Sequence, residues 1–239
     1  GTVTGVQTCA LPISIYLAVD TPFSLSIDGS PSRRGWLAVV PPNRAHEISS
    51  SDRTIRKILI EPEAISDSTV LRLPHVPVPK QSSPYRAISA AFVAWRDGDA
   101  PAAASAEAFD RFFFGSALVQ RWVDPRIRRV VWQLQTQPFA HLSAADCARM
   151  SNLSVPRFVH LFKEQLGTTF RAYCMWKRAR AVLPSLTMPC SLTQLAMEAG
   201  YADSAHFSHS IRRVFGLRPR DILTGSQRLA LYPSPVEAR

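Results

Sequence analysis

The sequence predicts an α+β protein, in which a β-rich N-terminal part is followed by helices and then by an all-helical C-terminal domain. Short segments with alternating apolar residues occupy the early part of the chain. A proline-rich stretch follows, and beyond it apolar residues recur at the three- and four-residue spacing of amphipathic helices. This change in the spacing of apolar residues separates a β-rich part of the 239-residue chain from a helical part.

The charge of the chain is distributed unevenly. Residues 1–124 contain 12 Lys and Arg and 12 Asp and Glu, whereas residues 125–239 contain 16 and 6, so the whole net charge of +10 lies in the C-terminal half. A basic domain of this kind suits a polyanionic partner, because neutralised phosphates release their counterions. A solvated basic face would give the same charge count.

The cysteines and the hydropathy exclude several classes of protein. Cys9, Cys147, Cys174 and Cys190 form no C-x-x-C pair, so neither a disulfide framework nor a zinc ribbon is indicated. No apolar run reaches the roughly 18–20 residues that span a bilayer. We therefore expect a cytoplasmic protein that does not enter a membrane.

The first fourteen residues are not expected to belong to the fold. The segment from Val3 to Ile13 looks like an in-frame translation of a common sequencing adapter, so residues 1–14 are set aside as an artefact. The hypothesis implies that the natural N-terminus is missing and that the N-terminal module starts at Ile15 without its first strands. A native reading frame through the gene's 5′ end would contradict it.

Residues 15–84 are predicted to form a partial β module with a proline-rich connector. Strands are indicated at Phe23–Ile27, at Trp36–Val40 before two prolines, and at Thr54–Ile60. Residues 63–84 contain four well-separated prolines and are expected to be a loop or an extended connector, because proline fixes φ and cannot donate a hydrogen bond.

Residues 85–123 are predicted to be a helical linker. One helix begins at Tyr85, and a second runs from about Ala102 to Val123 with an aromatic stripe. The stripe comprises Phe109, Phe112, Phe113, Leu118 and Trp122. Either this stripe packs on its own domain or it forms the seam of a homodimer.

Residues 124–225 are predicted to contain two helix-turn-helix units. In the first unit, Ala144–Met150 and Val155–Gln165 are helices joined by a four-residue turn, with Gly167 as the stop. Val155, Phe158, Leu161 and Phe162 are expected to face inward.

The pattern recurs about 48 residues later. Leu192–Ala199 and Ser204–Phe215 are the helices of the second unit, and Gly200 begins the turn between them. Phe207, Ile211, Val214 and Phe215 are expected to face inward. Residues 226–239 are expected to be a flexible tail.

These motifs resemble the paired domain of AraC/XylS-type bacterial transcription regulators. Ala148 to Gly167 and the stretch LAMEAGYADSAHFSHSIRRVFG from Leu195 to Gly216 carry the resemblance. It implies a central helix from about Thr169 to Ser185 and two recognition helices that enter successive major grooves about 34 Å apart. Pro184 departs from this pattern near the end of the central helix, where it is expected to remove a hydrogen bond and kink the helix. Carried over by position, the DNA-binding residues are Pro156, Arg157, Val159, His160, Lys163, Ser204, Ala205, Ser208, His209 and Arg212.

The resemblance also implies partners. Double-stranded DNA is the expected partner, with RNA polymerase, a second copy of the chain and an unidentified small-molecule effector as further partners. Whether the regulator activates or represses is not implied. No cofactor and no catalytic residue is expected.

The N-terminal module is similar to the cupin-like effector barrel of the same family, in the segment from Gly35 to Ile48. His46 within it raises the alternative of a metal-dependent cupin enzyme, although a single imidazole leaves a metal ion short of ligands, and no metal site is predicted. An alkyl-transfer DNA repair protein is the other enzymatic alternative. It needs an activated cysteine, and Cys190 has no basic neighbour.

Overall fold

The structure, a computed structural model, describes residues 3–7, 11–51, 54–99, 105–186, 191–216, 218, 219 and 222. The chain divides into two compact units, one made mainly of Pro12–Arg121 and the other starting at Trp122. The first contains strands and helices and the second only helices, so the prediction of an α+β protein is confirmed. Cys9, Cys190 and the predicted tail at 226–239 lie outside the described residues.

Within its described residues, the N-terminal unit contains two sheets and three helices. The strands are β1 (Val3–Gln7), β2 (Ile13–Ala18), β3 (Phe23–Ile27), β4 (Arg33–Gly35), β5 (Leu37–Val40), β6 (His46–Ser50) and β7 (Ile55–Ile60). One sheet has the order β1-β6-β3-β4 and the other the order β5-β2-β7. The helices are α1 (Asp67–Arg72), α2 (Ser83–Asp97) and α3 (Ala106–Phe114).

Strand β2 is the central strand of the smaller sheet, and all six of its residues are buried. Ile13, Ile15 and Leu17 pack in a core with α1, α2 and α3, whereas Tyr16 and Ala18 pack with Phe23, Leu25 and Ile48 of the other sheet. A strand covered on both faces is apolar throughout, so it lacks the alternation that marks a half-exposed strand.

Strand β2 begins before Ile15, the predicted start of the module. Ile13 and Ser14, which were set aside with the first fourteen residues, are the first two residues of β2 and pair with Ile60 and Leu59 of β7. Their exposed fractions are 1% and 0%. In the fold, the module therefore begins at least two residues before Ile15.

The predicted connector is more ordered than expected. It contains α1, which Ser66 caps by accepting a hydrogen bond from the Thr69 N–H. Its later part lies along β5, where the Trp36 N–H donates to the Val78 carbonyl and the Val78 N–H donates to the Leu37 carbonyl, each at 2.8 Å. Pro77 and Pro79 flank Val78, so the pairing with β5 is limited to one isolated antiparallel bridge, between Val78 and Leu37.

The second linker helix is shorter than predicted. Helix α3 ends at Phe114 because Gly115 follows it in the left-handed conformation, with φ of 77°. Beyond it, Asp110 Oδ2 accepts from the Leu118 N–H at 3.1 Å, and the Ser66 N–H donates to the Val119 carbonyl at 2.8 Å. These bonds hold the following residues outside a helix. The predicted start at Ala102 lies outside the described residues.

The aromatic stripe of α3 packs on its own unit. Phe113 is buried in the core with α2, and Phe109, Phe112 and Leu118 pack against the same core. Trp122, expected on the same helix, lies outside it and is 69% exposed. The contacts of the phenylalanines favour the first of the two interpretations, and a homodimer remains a prediction.

A polar cluster lies between the two sheets. The Tyr16 hydroxyl lies 2.7 Å from His46 Nε2, and His46 Nδ1 lies 3.1 Å from the Arg44 carbonyl. Because a carbonyl only accepts, Nδ1 carries the proton and Nε2 accepts from the tyrosine. Burial lowers the pKa of the His46 imidazole. Both ring nitrogens are thus occupied, which favours a structural role for His46.

Lys57 completes this cluster. It pairs with Tyr16 across β2 and β7, and its Nζ lies 4.9 Å from the centre of the tyrosine ring. Burial lowers the pKa of Lys57 from 10.5 to about 7. Among the described residues, no group of three or more His, Cys, Asp or Glu side chains could hold a metal ion.

The C-terminal unit contains seven helices within its described residues. They are α4 (Pro125–Thr136), α5 (Ala144–Met150), α6 (Val155–Leu166), α7 (Phe170–Ala181), α8 (Leu183–Leu186), α9 (Leu192–Glu198) and α10 (Ser204–Phe215). In the part of the chain that the structure describes, no helix is both long and apolar enough to cross a membrane.

A substitution of Gly35 tests the packing of the segment around Pro77 against β4. A Cβ atom at Gly35 would lie 2.5 Å from Pro77 Cβ and 2.8 Å from the Pro77 carbonyl carbon. We expect Gly35→Ala to lower the free energy of unfolding by about 1–3 kcal/mol, because an overpacked contact forces the backbone to shift. Urea denaturation followed by circular dichroism measures this, and Arg34→Ala, at an exposed position of the same strand, is the control. Equal stability of both variants would contradict the close contact.

The low pKa of the half-buried Lys57 predicts a pH dependence of stability. In the folded protein Lys57 loses its proton near pH 7, whereas in the unfolded chain it keeps its proton up to about pH 10.5. The unfolded state thus binds more protons between these values, and the stability contributed by this residue rises with pH. We expect the difference in unfolding free energy between wild type and Lys57→Met to shift toward the wild type by up to about 1.4 kcal/mol per pH unit from pH 7 to 10. A difference that is constant with pH would mean that Lys57 is solvated.

Candidate nucleic-acid interface

The first helix-turn-helix unit begins at a capping box. Ser143 Oγ accepts from the Asp146 N–H at 3.1 Å, and Asp146 Oδ2 accepts from the Ser143 N–H at 2.9 Å. The Ser143 hydroxyl also donates to Asp146 Oδ2, at 2.6 Å, and this bond together with the one from the Ser143 N–H lowers the pKa of the Asp146 carboxyl. The capping box fixes the start of α5. The predicted bounds of α5, Ala144–Met150, are confirmed.

The turn between α5 and α6 depends on one residue with a positive φ. Asn152 has φ of 52°, a region that asparagine tolerates better than most residues. The Leu153 N–H then donates to the Ala148 carbonyl at 2.9 Å, which closes the turn. Helix α6 follows, with Pro156 in its first turn, and ends at Gly167 with φ of 68°.

An aromatic cluster joins α6 to α7. Phe158 and Phe162 lie 5.7 Å apart between ring centres, and both contact Phe170, at 5.3 and 5.4 Å. Tyr173 lies 5.4 Å from Phe162. Phe158, Phe162 and Tyr173 are each 0% exposed, so α6 is held by its inner face.

The second unit repeats the arrangement. Gly200 follows α9 with φ of 72°, and the Tyr201 N–H donates to the Ala196 carbonyl at 2.9 Å. Asp203 caps α10 by accepting from the His206 N–H at 2.7 Å. Phe215 lies 5.6 Å from Trp176 of α7. Helix α7 therefore packs against both recognition helices.

The predicted central helix is interrupted. Helix α7 ends at Ala181, and the short α8 starts at Leu183. Pro184 has no N–H to donate to the carbonyl four residues earlier, so one bond of the ladder is missing. The ladder resumes in α8, where the Leu186 N–H donates to the Val182 carbonyl at 3.1 Å. The expected disturbance by Pro184 is confirmed, and the continuous helix to Ser185 is not observed.

The predicted DNA-binding residues of the first unit all lie on the outer side of α6. Pro156, Arg157, Val159, His160 and Lys163 are exposed. His160 Nε2 lies 4.0 Å from Glu164 Oε2 one turn later. Val155 was expected to face inward, but it is 42% exposed. It is the first residue of α6, and the buried side of the helix starts only at Phe158.

The second unit presents a smaller exposed surface. Ala205, His209 and Arg212 are exposed, whereas Ser204 and Ser208 are half-buried. The inward set of Phe207, Ile211, Val214 and Phe215 is buried, as predicted. The structure thus shows which of the ten residues are accessible, and whether they touch DNA remains a prediction.

Sequence reasoning missed two charged residues on these helices. Glu164 of α6 and Arg213 of α10 are exposed beside the predicted sets. Their positions follow from the same helical spacing that buries Phe158 and Phe162 or Ile211 and Val214. The spacing was therefore a sufficient signal for both residues.

The described cysteines do not form a reactive site. Cys147 is buried, and burial raises the pKa of its thiol to about 11. Burial raises the pKa of the half-buried Cys174 to about 12. A thiol that stays protonated is a poor nucleophile, so neither residue supports alkyl transfer.

Comparison with known proteins agrees with this geometry. Residues 147–224 match the family described as a helix-turn-helix domain. The transcriptional activator RhrA of Rhizobium meliloti (strain 1021) is 28% identical over 97 residues, which are 39% of this chain and 30% of that protein. Residues 147–224 are thus a helix-turn-helix domain.

Two other proteins similar to this chain extend the comparison. The transcriptional regulator LumQ of Photobacterium leiognathi is 31% identical over 81 residues, which are 33% of this chain and 32% of that protein. The chain thus aligns with about a third of the length of these curated relatives. The crystal structure of ToxT from Vibrio cholerae O395 has a TM-score of 0.62 at 14% identity and covers 93% of this chain and 94% of that one. At this identity the likeness shows a common fold and no common role.

Proposed function

We propose that this protein is a sequence-specific DNA-binding transcription regulator. The observation that carries the proposal is the pair of capped helix-turn-helix units whose second helices, α6 and α10, pack on the same helix α7. Each unit buries its apolar side and leaves a polar, cationic side in solvent. That is the arrangement by which a recognition helix enters a major groove.

The charge of the domain supports the choice of DNA as the partner. Its net excess of ten positive charges lies in residues 125–239, and three of the predicted contact residues, Arg157, Lys163 and Arg212, carry part of it. Cationic groups of this kind attract the phosphate backbone, and arginine can also read guanine with two hydrogen bonds.

The N-terminal unit is proposed to respond to a small molecule. It has its own core and a cavity, and its charge is balanced, so it has no electrostatic reason to bind DNA itself. A second copy of the chain and RNA polymerase are further proposed partners, as the resemblance implies. The match to a regulator domain and the occupied nitrogens of His46 disfavour a metal-dependent enzyme.

Selection from a random library of duplex DNA tests the proposal directly. The full chain is incubated with the library at moderate salt, and the bound DNA is amplified and sequenced over several rounds. We expect two short enriched blocks whose centres lie about one helical turn, 10–10.5 base pairs, apart. Affinity for the selected site should fall linearly on a plot of log K against log salt. The absence of any enriched sequence would refute specific recognition, and one block alone would refute the paired arrangement.

Alanine substitutions test the two recognition faces. Arg157→Ala or Arg212→Ala should weaken binding to the selected site by about 1–3 kcal/mol and relax the preference at one position if the side chain reads a base. A uniform loss on all sequences, with a salt slope smaller by about one, would instead assign a phosphate contact. Fluorescence anisotropy with matched duplexes measures both.

Arg86→Ala is the matched control for these variants. Arg86 is an exposed residue of α2 in the N-terminal unit, so this variant removes one positive charge without altering the helix-turn-helix domain. It should bind the selected site as the wild type does. Binding that is unchanged in Arg157→Ala, or a loss in Arg86→Ala as large as in the α6 variant, would exclude the predicted first face.

A further inference from the structure

The loop between α4 and α5 reaches the turn of the second helix-turn-helix unit. The Leu142 N–H donates to the Ala140 carbonyl at 2.9 Å, which closes a three-residue turn in this loop. His141 is the central residue of that turn and lies two residues before Ser143, which caps α5. Its exposed side chain extends to the turn that begins at Gly200. The segment that leads into the first unit thus lies against the second.

The imidazole of His141 lies close enough to Gly200 to crowd any side chain placed there. A Cβ atom at Gly200 would lie 3.3 Å from His141 Nε2 and 3.5 Å from its Cε1. The first distance is shorter than the optimal separation of about 3.5–4.0 Å between carbon atoms. Gly200 also has φ of 72°, a conformation that glycine adopts readily. The same glycine therefore forms the turn after α9 and leaves room for the imidazole.

Arg178 of α7 holds the other edge of the imidazole. Its Nη2 lies 3.4 Å from His141 Nδ1, the length of a long hydrogen bond. Because a guanidinium can only donate, Nδ1 accepts, and the neutral ring carries its proton on Nε2, the nitrogen nearest Gly200. Arg178 is half-buried. The imidazole thus lies between a side chain of the central helix and the backbone of the second turn.

The turn at Gly200 is joined in its own right to α10. The ring of Tyr201, the next residue, lies 5.2 Å from Phe207 and 5.4 Å from His206 between ring centres. Phe207 is 0% exposed, so the turn is packed on the buried side of α10. Burial raises the pKa of the Tyr201 hydroxyl, and the positive charge of Arg178 acts in the opposite direction. One residue of α7 therefore faces both the loop before α5 and the turn before α10.

The contact of His141 with Arg178 and Gly200, here called the polar junction, differs from the aromatic packing on α7. The ring contacts attach α6 and α10 separately to α7, whereas the polar junction joins the loop of one unit to the turn of the other. A change in the angle between the two units has to open this junction. A single exposed hydrogen bond contributes little to the stability of the fold, so the main effect of the junction is on geometry.

We propose that His141, held by Arg178, is a positioning residue that fixes the angle between the two helix-turn-helix units and so restricts recognition to one spacing of the two DNA blocks. This inference rests on the proposed recognition of DNA by both units. Each base pair added between the blocks moves the second block by about 3.4 Å and rotates it by about 34–36° around the duplex. Two units at a fixed angle cannot follow that rotation, whereas two units that move freely can.

Duplexes that carry the two selected blocks at different spacings test the proposal on the full chain. The spacing is shortened and lengthened by one and two base pairs, and the affinity is measured by fluorescence anisotropy at constant salt. We expect the wild type to bind best at one spacing. His141→Ala should reduce the ratio of this affinity to that at one added base pair by about 3–10-fold, the effect typical of one hydrogen bond. Affinity for a duplex with a single block should not change. A wild type without a preferred spacing, or an unchanged ratio in the variant, would overturn the proposal.

Further variants separate positioning from a general loss of stability. Arg178→Ala should reduce the same ratio, and the double variant with His141→Ala should reduce it no further, because both side chains form one contact. His141→Asn should recover part of the preference, since its amide oxygen can accept from Arg178. Gln137→Ala in the same loop and Arg171→Ala on α7, both at exposed positions, are the controls and should keep the ratio of the wild type. Additive effects in the double variant, or a control effect as large as that of His141→Ala, would refute the polar junction.

A measurement without DNA separates this proposal from the function on which it rests. Nitroxide labels are coupled to ketone-bearing amino acids introduced at the exposed positions of Glu164 in α6 and Arg213 in α10, and double electron–electron resonance gives the distance between them. We expect the distance distribution to broaden in His141→Ala and in Arg178→Ala but not in Gln137→Ala. Equal widths would refute the positioning role even if the chain binds its selected duplex. A broadened distribution in a chain that enriches no DNA sequence would support the positioning role and refute the regulator function.

Discussion

The C-terminal domain depends on the packing of one helix, α7, against both recognition helices. Tyr173 and Phe170 contact the aromatic side chains of α6, whereas Trp176 contacts Phe215 of α10. Tyr173 and Trp176 are buried, at 0% and 2% exposed. Because a buried aromatic pair contributes both area and a preferred ring geometry, these contacts fix the two helices to a common support. The orientation of the outer faces of α6 and α10 therefore depends on the rigidity of α7.

The helix-turn-helix units could be predicted from the sequence because their signals are local. The capping box at Ser143, the glycines after α6 and α10, and the three- and four-residue spacing of phenylalanines act within a few residues of each other. Each of these features sets a helix boundary or a buried side without reference to the rest of the chain. The predicted bounds of α5 and α10 therefore agree with the structure.

The N-terminal unit was harder to predict because its structure depends on distant partners. Strand β2 is buried on both faces by elements from elsewhere in the chain, so it shows no alternation. The bridge at Val78 forms only because β5 lies beside it to exchange hydrogen bonds. Helix α3 ends at Phe114, before Gly115. The sequence did not predict this end, because residues of the aromatic stripe lie on both sides of the glycine.

The length of α7 limits how the two recognition faces can be spaced. Its 12 residues span about 18 Å at 1.5 Å per residue, and Phe170 and Trp176, the residues that anchor the two units, are only about 9 Å apart along the axis. Successive major grooves are separated by about 34 Å. The length of α7 alone therefore cannot set a spacing of about 34 Å. The rest of that distance has to come from the directions in which α6 and α10 extend away from α7. Those directions are fixed by the ring contacts at Phe162 and Phe215. The aromatic packing, more than the length of the central helix, thus sets the distance between the two proposed DNA-binding faces.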